Sequence, residues 1–270
     1  MVGINTSTVQ PAVTRSTEQV NQSFERISSG QRVNQAADDA AGIAIAEGFS
    51  AQRAGELQAI RNAGDGISLT QVASGTIDSL VDGVQRIREL SVQAANATYT
   101  DDDRALIQTE VEGIQEQIRT ALEGAEFNGR SLFQNDEPQT FQVGPDAGDT
   151  LEVDLGRVTQ QVLDAGLNEL NVESQASASQ SLQAADQILG TFSEASAQVG
   201  ALQNQIESRV ESLTESSINN AESESRIRDA DLAREISDLT QNQIREEIGL
   251  AVQAQANERP RDVLQLISRV

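Results

Sequence analysis

Apolar residues recur at alternating steps of three and four over most of this chain. Ile77, Leu80, Val84 and Ile87 follow the rule, as do Ile107, Val111, Ile114, Ile118 and Ala121. Leu189, Phe192, Val199, Ile206, Val210 and Leu213 continue it, with Ser196 and Gln203 as polar interruptions of the same seam. The pattern starts near the N-terminus with Val13, Val20, Phe24 and Ile27, and returns near the C-terminus with Leu232, Ile236, Leu239 and Ile248. Such spacing gives each helix one apolar stripe to set against a neighbour in a bundle or coiled coil. Prolines stand only at Pro11, Pro138, Pro145 and Pro260, leaving 12–137 and 146–259 free for long helices. Thr100 followed by Asp101-Asp102-Asp103 predicts an N-cap with acids at the positive end of a helix dipole.

One stretch breaks the rule. Across 127–172, Asn128-Gly129, Pro138, Gly144-Pro145, Asp146-Ala147-Gly148 and Gly156 punctuate the chain at short intervals. Between them Thr140-Phe141-Gln142-Val143 and Leu151-Glu152-Val153-Asp154-Leu155 alternate with period two, which predicts a small hairpin. The fold class is therefore mostly α: a long coiled-coil-like helical bundle with a small β-hairpin insert, the β-rich part spanning about 127–172.

Composition narrows the chemistry. The chain has no histidine, cysteine or tryptophan, and all 19 of its basic residues are arginine. Ser-His-Asp and Cys-His catalysis, His- or Cys-ligated zinc, thiol chemistry and a P-loop lysine are all excluded. Aromatics are 3% of residues, too few for the wide core of an ordinary enzyme but enough for a thin helical seam. No apolar run approaches the roughly 20 residues of a membrane span. The N-terminus lacks a basic segment followed by an apolar core, so no cleavable secretion signal is expected.

Charge divides the chain. Residues 1–40 and 226–270 are each net −1, whereas 41–225 holds nine arginines against thirty acids, net −21 of the total −23. Near-neutral amphipathic ends suit packing against other chains, and an acidic middle suits water. Nucleic acid and anionic membranes, which need clustered cations, are disfavoured as partners.

Local clusters offer little catalysis. Asp38 and Asp39 cannot share a proton on one helix, because neighbours there point about 100° apart; a helix start or an intersubunit pair with arginine fits them better. Asp101–Asp103 lacks the spaced loop and distal glutamate of a Ca²⁺ site, so capping explains it better than a metal. Gly64-Asp65-Gly66 has neither the preceding strand nor the third glycine of a dinucleotide fingerprint.

Longer motifs carry a resemblance. Ile4-Asn5-Thr6 is followed by Arg26-Ile27-Ser28-Ser29-Gly30-Gln31-Arg32-Val33-Asn34 and by Ala36-Ala37-Asp38-Asp39-Ala40-Ala41-Gly42. Then come Arg61-Asn62-Ala63-Gly64-Asp65-Gly66-Ile67-Ser68, Gln85-Arg86-Ile87-Arg88-Glu89-Leu90-Ser91-Val92-Gln93 and Glu126-Phe127-Asn128-Gly129. Ser225-Arg226-Ile227-Arg228-Asp229-Ala230-Asp231, Ala254-Gln255-Ala256-Asn257 and Pro260 through Leu266 complete the order. In this succession the chain resembles bacterial flagellin, in a minimal form without the variable outer domains. It departs from the usual pattern at Ala37, where the family has lysine, and in a tail running on through Ser268-Arg269-Val270.

The resemblance implies an elongated filament subunit, self-assembling into a helical homopolymer and without enzymatic activity or cofactor. Residues 1–45 and 226–270 would pair as the inner-tube coiled coil, and 46–225 would form a rod-like outer domain. Candidate polymerisation residues are Val13, Val20, Phe24, Ile27, Asp38, Asp39, Ile236, Leu239, Ile248 and Leu264. It further implies export through the flagellar type III apparatus with a chaperone, contacts with hook-associated and cap proteins, and an extracellular location without a cleaved signal. Recognition by the animal Toll-like flagellin receptor would use the 85–93 helix. Arg86 and Leu90 match the principal contacts, Arg88 and Glu89 flank them, and Gln117 stands where the next helix carries an acid. Two other readings compete: a hook-associated junction protein with flagellin-like ends, and a cytoplasmic coiled-coil scaffold.

The charge division makes a prediction of its own. Stacking subunits concentrates the acidic middles, and the screening length shrinks from about 30 Å at 0.01 M salt to about 3 Å at 1 M. The critical concentration for polymerisation is expected to fall across that range of NaCl, read by pelleting seeded monomer. A flat or rising series would mean the acids are paired with arginines between subunits.

Overall fold

The computed structural model describes residues 6–134 and 137–267, with side chains described over 10–134 and 137–256. Six helices follow in order: α1 (Thr6–Ser29), α2 (Ala36–Ala94), α3 (Asp101–Gly124), α4 (Val158–Asp164), α5 (Gln175–Arg228) and α6 (Leu232–Ile267). Strands β1 (Glu126–Phe127), β2 (Arg130–Ser131), β3 (Gln139–Gln142) and β4 (Thr150–Val153) lie between α3 and α4. Contacts divide the chain into two units, Met1–Gln52 with Ile218–Val270, and Arg53–Ser217. The division falls several residues inside the boundaries at 45/46 and 225/226 expected from the motifs.

In the second unit the spacing rule becomes a core. Ala63, Ala73, Ile77, Leu80, Val84, Ile87 and Ala94 of α2 are buried, with Ile107, Val111, Ile118 and Leu122 of α3 and Ala185, Ile188, Phe192, Ala195, Val199 and Ile206 of α5. Two cross-links to each helix fix α3 and α5 as antiparallel to α2: Arg86 to Glu110 and Arg104 to the Ala94 carbonyl for α3, Arg88 to Asp186 and Ser216 to Glu56 for α5. The α5 seam passes through Ala195, not through the exposed Ser196 that the spacing suggested.

Helix ends follow local chemistry. Thr100 caps α3: its hydroxyl accepts the Asp103 N–H at 3.2 Å, while the Asp103 carboxylate accepts the Thr100 N–H at 3.0 Å. The Thr100 hydroxyl also donates to the Asp103 carboxylate at 2.7 Å, and this bond first, then the Thr100 N–H, holds that carboxyl below its ordinary value. The preceding turn is locked by Arg104, a buried guanidinium that donates to the Ala94 and Asn96 carbonyls at the end of α2. Helices α1 and α6 run past Pro11 and Pro260, so those prolines do not bound the helices as their spacing suggested.

The insert is less β-rich than expected. Asn128 (φ 52°) and Gly129 (φ 75°) form the two-residue turn of the β1–β2 hairpin, where paired positive φ favours Asn-Gly. Strands β3 and β4 pair antiparallel in the register Gln139 with Val153 through Gln142 with Thr150. Residues 158–164, however, are helical, because Val158 and Val162 stand four apart and both bury. Phe141, Val143 and Leu151 close over Ala63 and Ile206. Arg209 holds the hairpin to α5, donating to the Val143 carbonyl at 3.0 Å and pairing with Asp149 at 3.2 Å; Asn62 on α2 donates to the Gln142 carbonyl. Gly66 eases the fit: a Cβ there would stand 3.2 Å from the tip of Ile206 and press that side chain aside.

The caps predict a pH response. Asp38 is also held below its usual value, by the Gln35 N–H first, then the Asn34 N–H and Arg26. A depressed folded pKa gives stability that is present above the unfolded value near 3.9 and is lost as pH falls through the folded one. Melting temperature should therefore drop below about pH 4. Asp38→Asn and Asp103→Asn should each flatten that drop. Thr100→Ala should cost about 1 kcal/mol at neutral pH in thermal unfolding.

Candidate assembly and recognition surfaces

Within the first unit α1 packs against α6. On α1 the covered or half-covered positions are Val13, Ser16, Thr17, Val20, Ser23, Arg26 and Ile27; on α6 they include Glu235, Leu239, Glu246, Gly249, Val252 and Ala256. Both rows keep heptad spacing, yet much of the seam is polar. Thr17 donates to Glu246 at 2.8 Å, and Arg26 pairs with Glu235 at 3.4 Å. The helices approach closely at Gly249, where a Cβ would stand 2.8 Å from Val13.

The sequence seam for α6 is corrected by this packing. Ile236 is 53% and Ile248 59% exposed, and Leu232, Ile244 and Leu250 are comparably open. Phe24 of α1, 52% exposed, also points away from the seam, while Val20 is buried within it. Apolar residues on α6 lie on more than one side of the helix, so spacing alone does not single out the face that meets α1. Leu264 lies in α6 outside the residues whose side chains are described.

Where α1 gives way to α2 and α5 to α6, the two connecting segments pair with each other. Gln31 bridges Asp229, the Arg32 N–H donates to the Arg228 carbonyl at 2.6 Å, and the Ala230 N–H donates to the Gly30 carbonyl at 2.9 Å. The Arg32 guanidinium adds a bond to the Ile227 carbonyl, and Arg228 one to Gln31. Asp38 and Asp39 serve the same joint. The Asp38 carboxylate accepts the Asn34 and Gln35 N–H groups, each at 3.1 Å. Asp39 has extended backbone angles and accepts the Gly42 N–H at 2.8 Å, so the regular part of α2 starts after it. A Cβ on Gly42 would collide with that carboxylate, which explains the glycine.

On the second unit the 85–93 segment presents a charged face. Arg86 donates to Glu110 on α3 at 2.8 and 3.0 Å and to Glu89 at 3.1 Å. Glu110 first, then Glu89, raise the arginine's pKa and keep it firmly charged. Arg88 turns the other way, to Asp186 of α5 at 2.7 Å. One expectation needs correction. Leu90 is 2% exposed and belongs to the core between the helices, so it is not a surface contact. The acid that faces Arg86 from α3 is Glu110; Gln117 is exposed but seven residues further on, roughly 10 Å along the axis. Sequence spacing missed Glu110 because only the antiparallel register of α2 and α3 shows which acid meets Arg86.

Among the described residues no group of three or more acids could hold a metal ion. No helix among them is long and apolar enough to cross a membrane. The arrangement defines a structural protein whose helices present faces to other helices.

Comparison with known proteins says which one. Residues 3–137 match the bacterial flagellin N-terminal helical region, and 182–267 the bacterial flagellin C-terminal helical region. The chain is 37% identical over 250 residues to a flagellin of Halalkalibacterium halodurans, covering 92% of both chains. It is 35% identical over 263 residues to Flagellin FlaB2 of Treponema pallidum, again covering 92% of each. This chain belongs to the bacterial flagellin family, whose members are structural proteins and not enzymes. Solved structures agree on the fold. The crystal structure of Bacillus cereus flagellin superposes with a TM-score of 0.51 at 21% identity, covering 57% of this chain and 88% of that one. A putative flagellar hook-associated protein from Vibrio parahaemolyticus gives 0.61 at 16% identity, covering 71% of this chain and 100% of that one. The hook-associated reading shares this fold, but it is the flagellins that match in sequence over nearly the whole chain.

Proposed function

We propose that this chain is a structural subunit of the extracellular flagellar filament and that it polymerises through its two terminal segments, 1–45 and 226–270, with 46–225 forming the outer part. The observation that carries the reading is the set of apolar side chains that the α1–α6 pair leaves uncovered. Leu232, Ile236, Ile244, Ile248 and Leu250 are each about half exposed on α6, and Phe24 on α1. A helix apolar on several sides is a helix meant to be buried on several sides. One intrachain partner covers only one, so neighbouring copies supply the rest. Export through the flagellar type III apparatus with a chaperone, and meetings with cap and hook-associated proteins, belong to the same reading. A chain without cysteine has no disulfide to undo before threading.

A second surface favours recognition by the animal Toll-like flagellin receptor. Arg86, Glu89 and Glu110 form an exposed, mutually bonded cluster spanning two helices. An arginine and an acid on the neighbouring helix thus stand together on this face, which supports the reading.

Deleting 1–40 or 226–270 should abolish filament growth while 53–217 remains a folded monomer, checked by electron microscopy and circular dichroism. Filaments from either truncation would exclude the terminal segments as the polymerising surface. For the receptor, Arg86→Ala and Glu110→Ala should each weaken binding at least several-fold in a titration with the purified ectodomain, whereas Gln117→Glu should change it little. Unchanged binding for Arg86→Ala would show that the cluster is not the contact.

A further inference from the structure

Five glycines sit well inside the helices of the second unit and face solvent: Gly64 and Gly75 on α2, Gly113 on α3, Gly190 and Gly200 on α5. None has the positive φ that favours glycine, and each has open space where a Cβ would go. Other helical glycines have a reason to lack a side chain. A Cβ would press on Pro145 at Gly55, on Ile206 at Gly66 and on Ile118 at Gly83. At the five exposed positions packing within the chain gives no such reason, yet in a helix interior only proline is a worse choice than glycine. Alanine takes the same backbone at each without strain. The five do not mark out one contact face. Positions 64 and 75 lie about 20° apart around α2, but 190 and 200 are turned about 80° from each other on α5, and 113 is on a third helix. What they share is an effect on helix stability, spread over α2, α3 and α5.

We propose that these glycines hold the stability of the folded subunit low before assembly, so that its helices open for threading, while contacts between copies stabilise the finished filament. The proposal rests on the reading of export given above. A labile subunit and a durable polymer are compatible, because contacts that only folded chains can make stabilise the folded state by mass action. The device leaves no trace among the contacts of one chain, since the cost of a glycine arises from the freedom of the unfolded backbone.

Alanine at all five positions of the full-length chain tests it. The five changes together should raise the melting temperature of the monomer by about 10 °C, since they lie on separate parts of the unit and their effects add. The purified variant should grow filaments from seeds as readily as the parent. In a flagellated bacterium whose own flagellin gene is replaced, the variant should be made in equal amount but secreted at least several-fold less than the parent. Val111→Ala added to the five alanines leaves a cavity in the core, and should bring melting temperature and secretion back down and up together. No rise in melting temperature, loss of filament growth from purified variant, or unchanged secretion of a stabilised variant would each overturn the proposal. Secretion of the parent that persists in a strain without the export apparatus would overturn the reading of export instead.

Discussion

An apolar or small residue every three and four positions along α2 is the constraint on which the rest of the fold depends. From Ala59 to Ala94 that spacing never lapses, and each buried position there falls on it or one residue beside it. Only a partner helix lying along α2 can cover a stripe so long and narrow, and α5 runs antiparallel to do so. Helix α3 then covers the half of the stripe that carries Ile77, Leu80, Val84 and Ile87, the half with large side chains. The β3–β4 hairpin covers the part around Ala63 and Gly66, where the small residues of α2 leave room for Phe141. The size of the seam residue therefore decides what packs on it.

Side-chain amides and guanidiniums do the fastening that the thin core cannot. Gln115 donates to the Leu167 and Leu170 carbonyls, Gln108 accepts the Val172 N–H, and Ser181 exchanges bonds with the Asn171 backbone. Each satisfies a backbone group in an irregular stretch that would otherwise be buried without a partner. The surface ion pairs are different. Arg86 with Glu110, Arg88 with Asp186 and Arg209 with Asp149 are about half exposed, where such pairs contribute about 0–1 kcal/mol. Their value is geometric, since each joins two elements that the chain does not connect directly.

What could be read in advance follows from this division. The seams of α2, α3 and α5 were legible because each buries one stripe, so period and burial coincide. The cap at Thr100 and the turn at Asn128-Gly129 were legible because their chemistry is local. Residues 158–172 were misjudged because glycine and proline punctuation was taken to continue the hairpin, while Val158 and Val162 carry a weak helical signal over seven residues. Leu90 was misplaced for a plainer reason: a motif shows which residues occur together, and only the packed helix shows which of them faces inward. Gln108, Gln115 and Arg209 look like ordinary surface residues until the segment they fasten is folded against them.

The terminal pair shows why one pattern can have two meanings. In α2 an apolar stripe is covered within the chain; in α6 the covered stripe mixes Glu235 and Glu246 with Leu239, Val252 and Ala256, and five large apolar residues lie outside it. Side chains left half exposed retain roughly 1 kcal/mol each of unrealised burial, since full burial of Leu, Ile or Phe is worth about 1.5–3 kcal/mol. With Phe24, Leu232, Ile236, Ile244, Ile248 and Leu250, the uncovered set amounts to several kcal/mol per chain. The hydrogen bond from Thr17 to Glu246 and the ion pair of Arg26 with Glu235 orient the two helices but add little apolar burial. The apolar energy of the second unit is realised when one chain folds, whereas the terminal helices leave a large part of theirs unrealised within the chain.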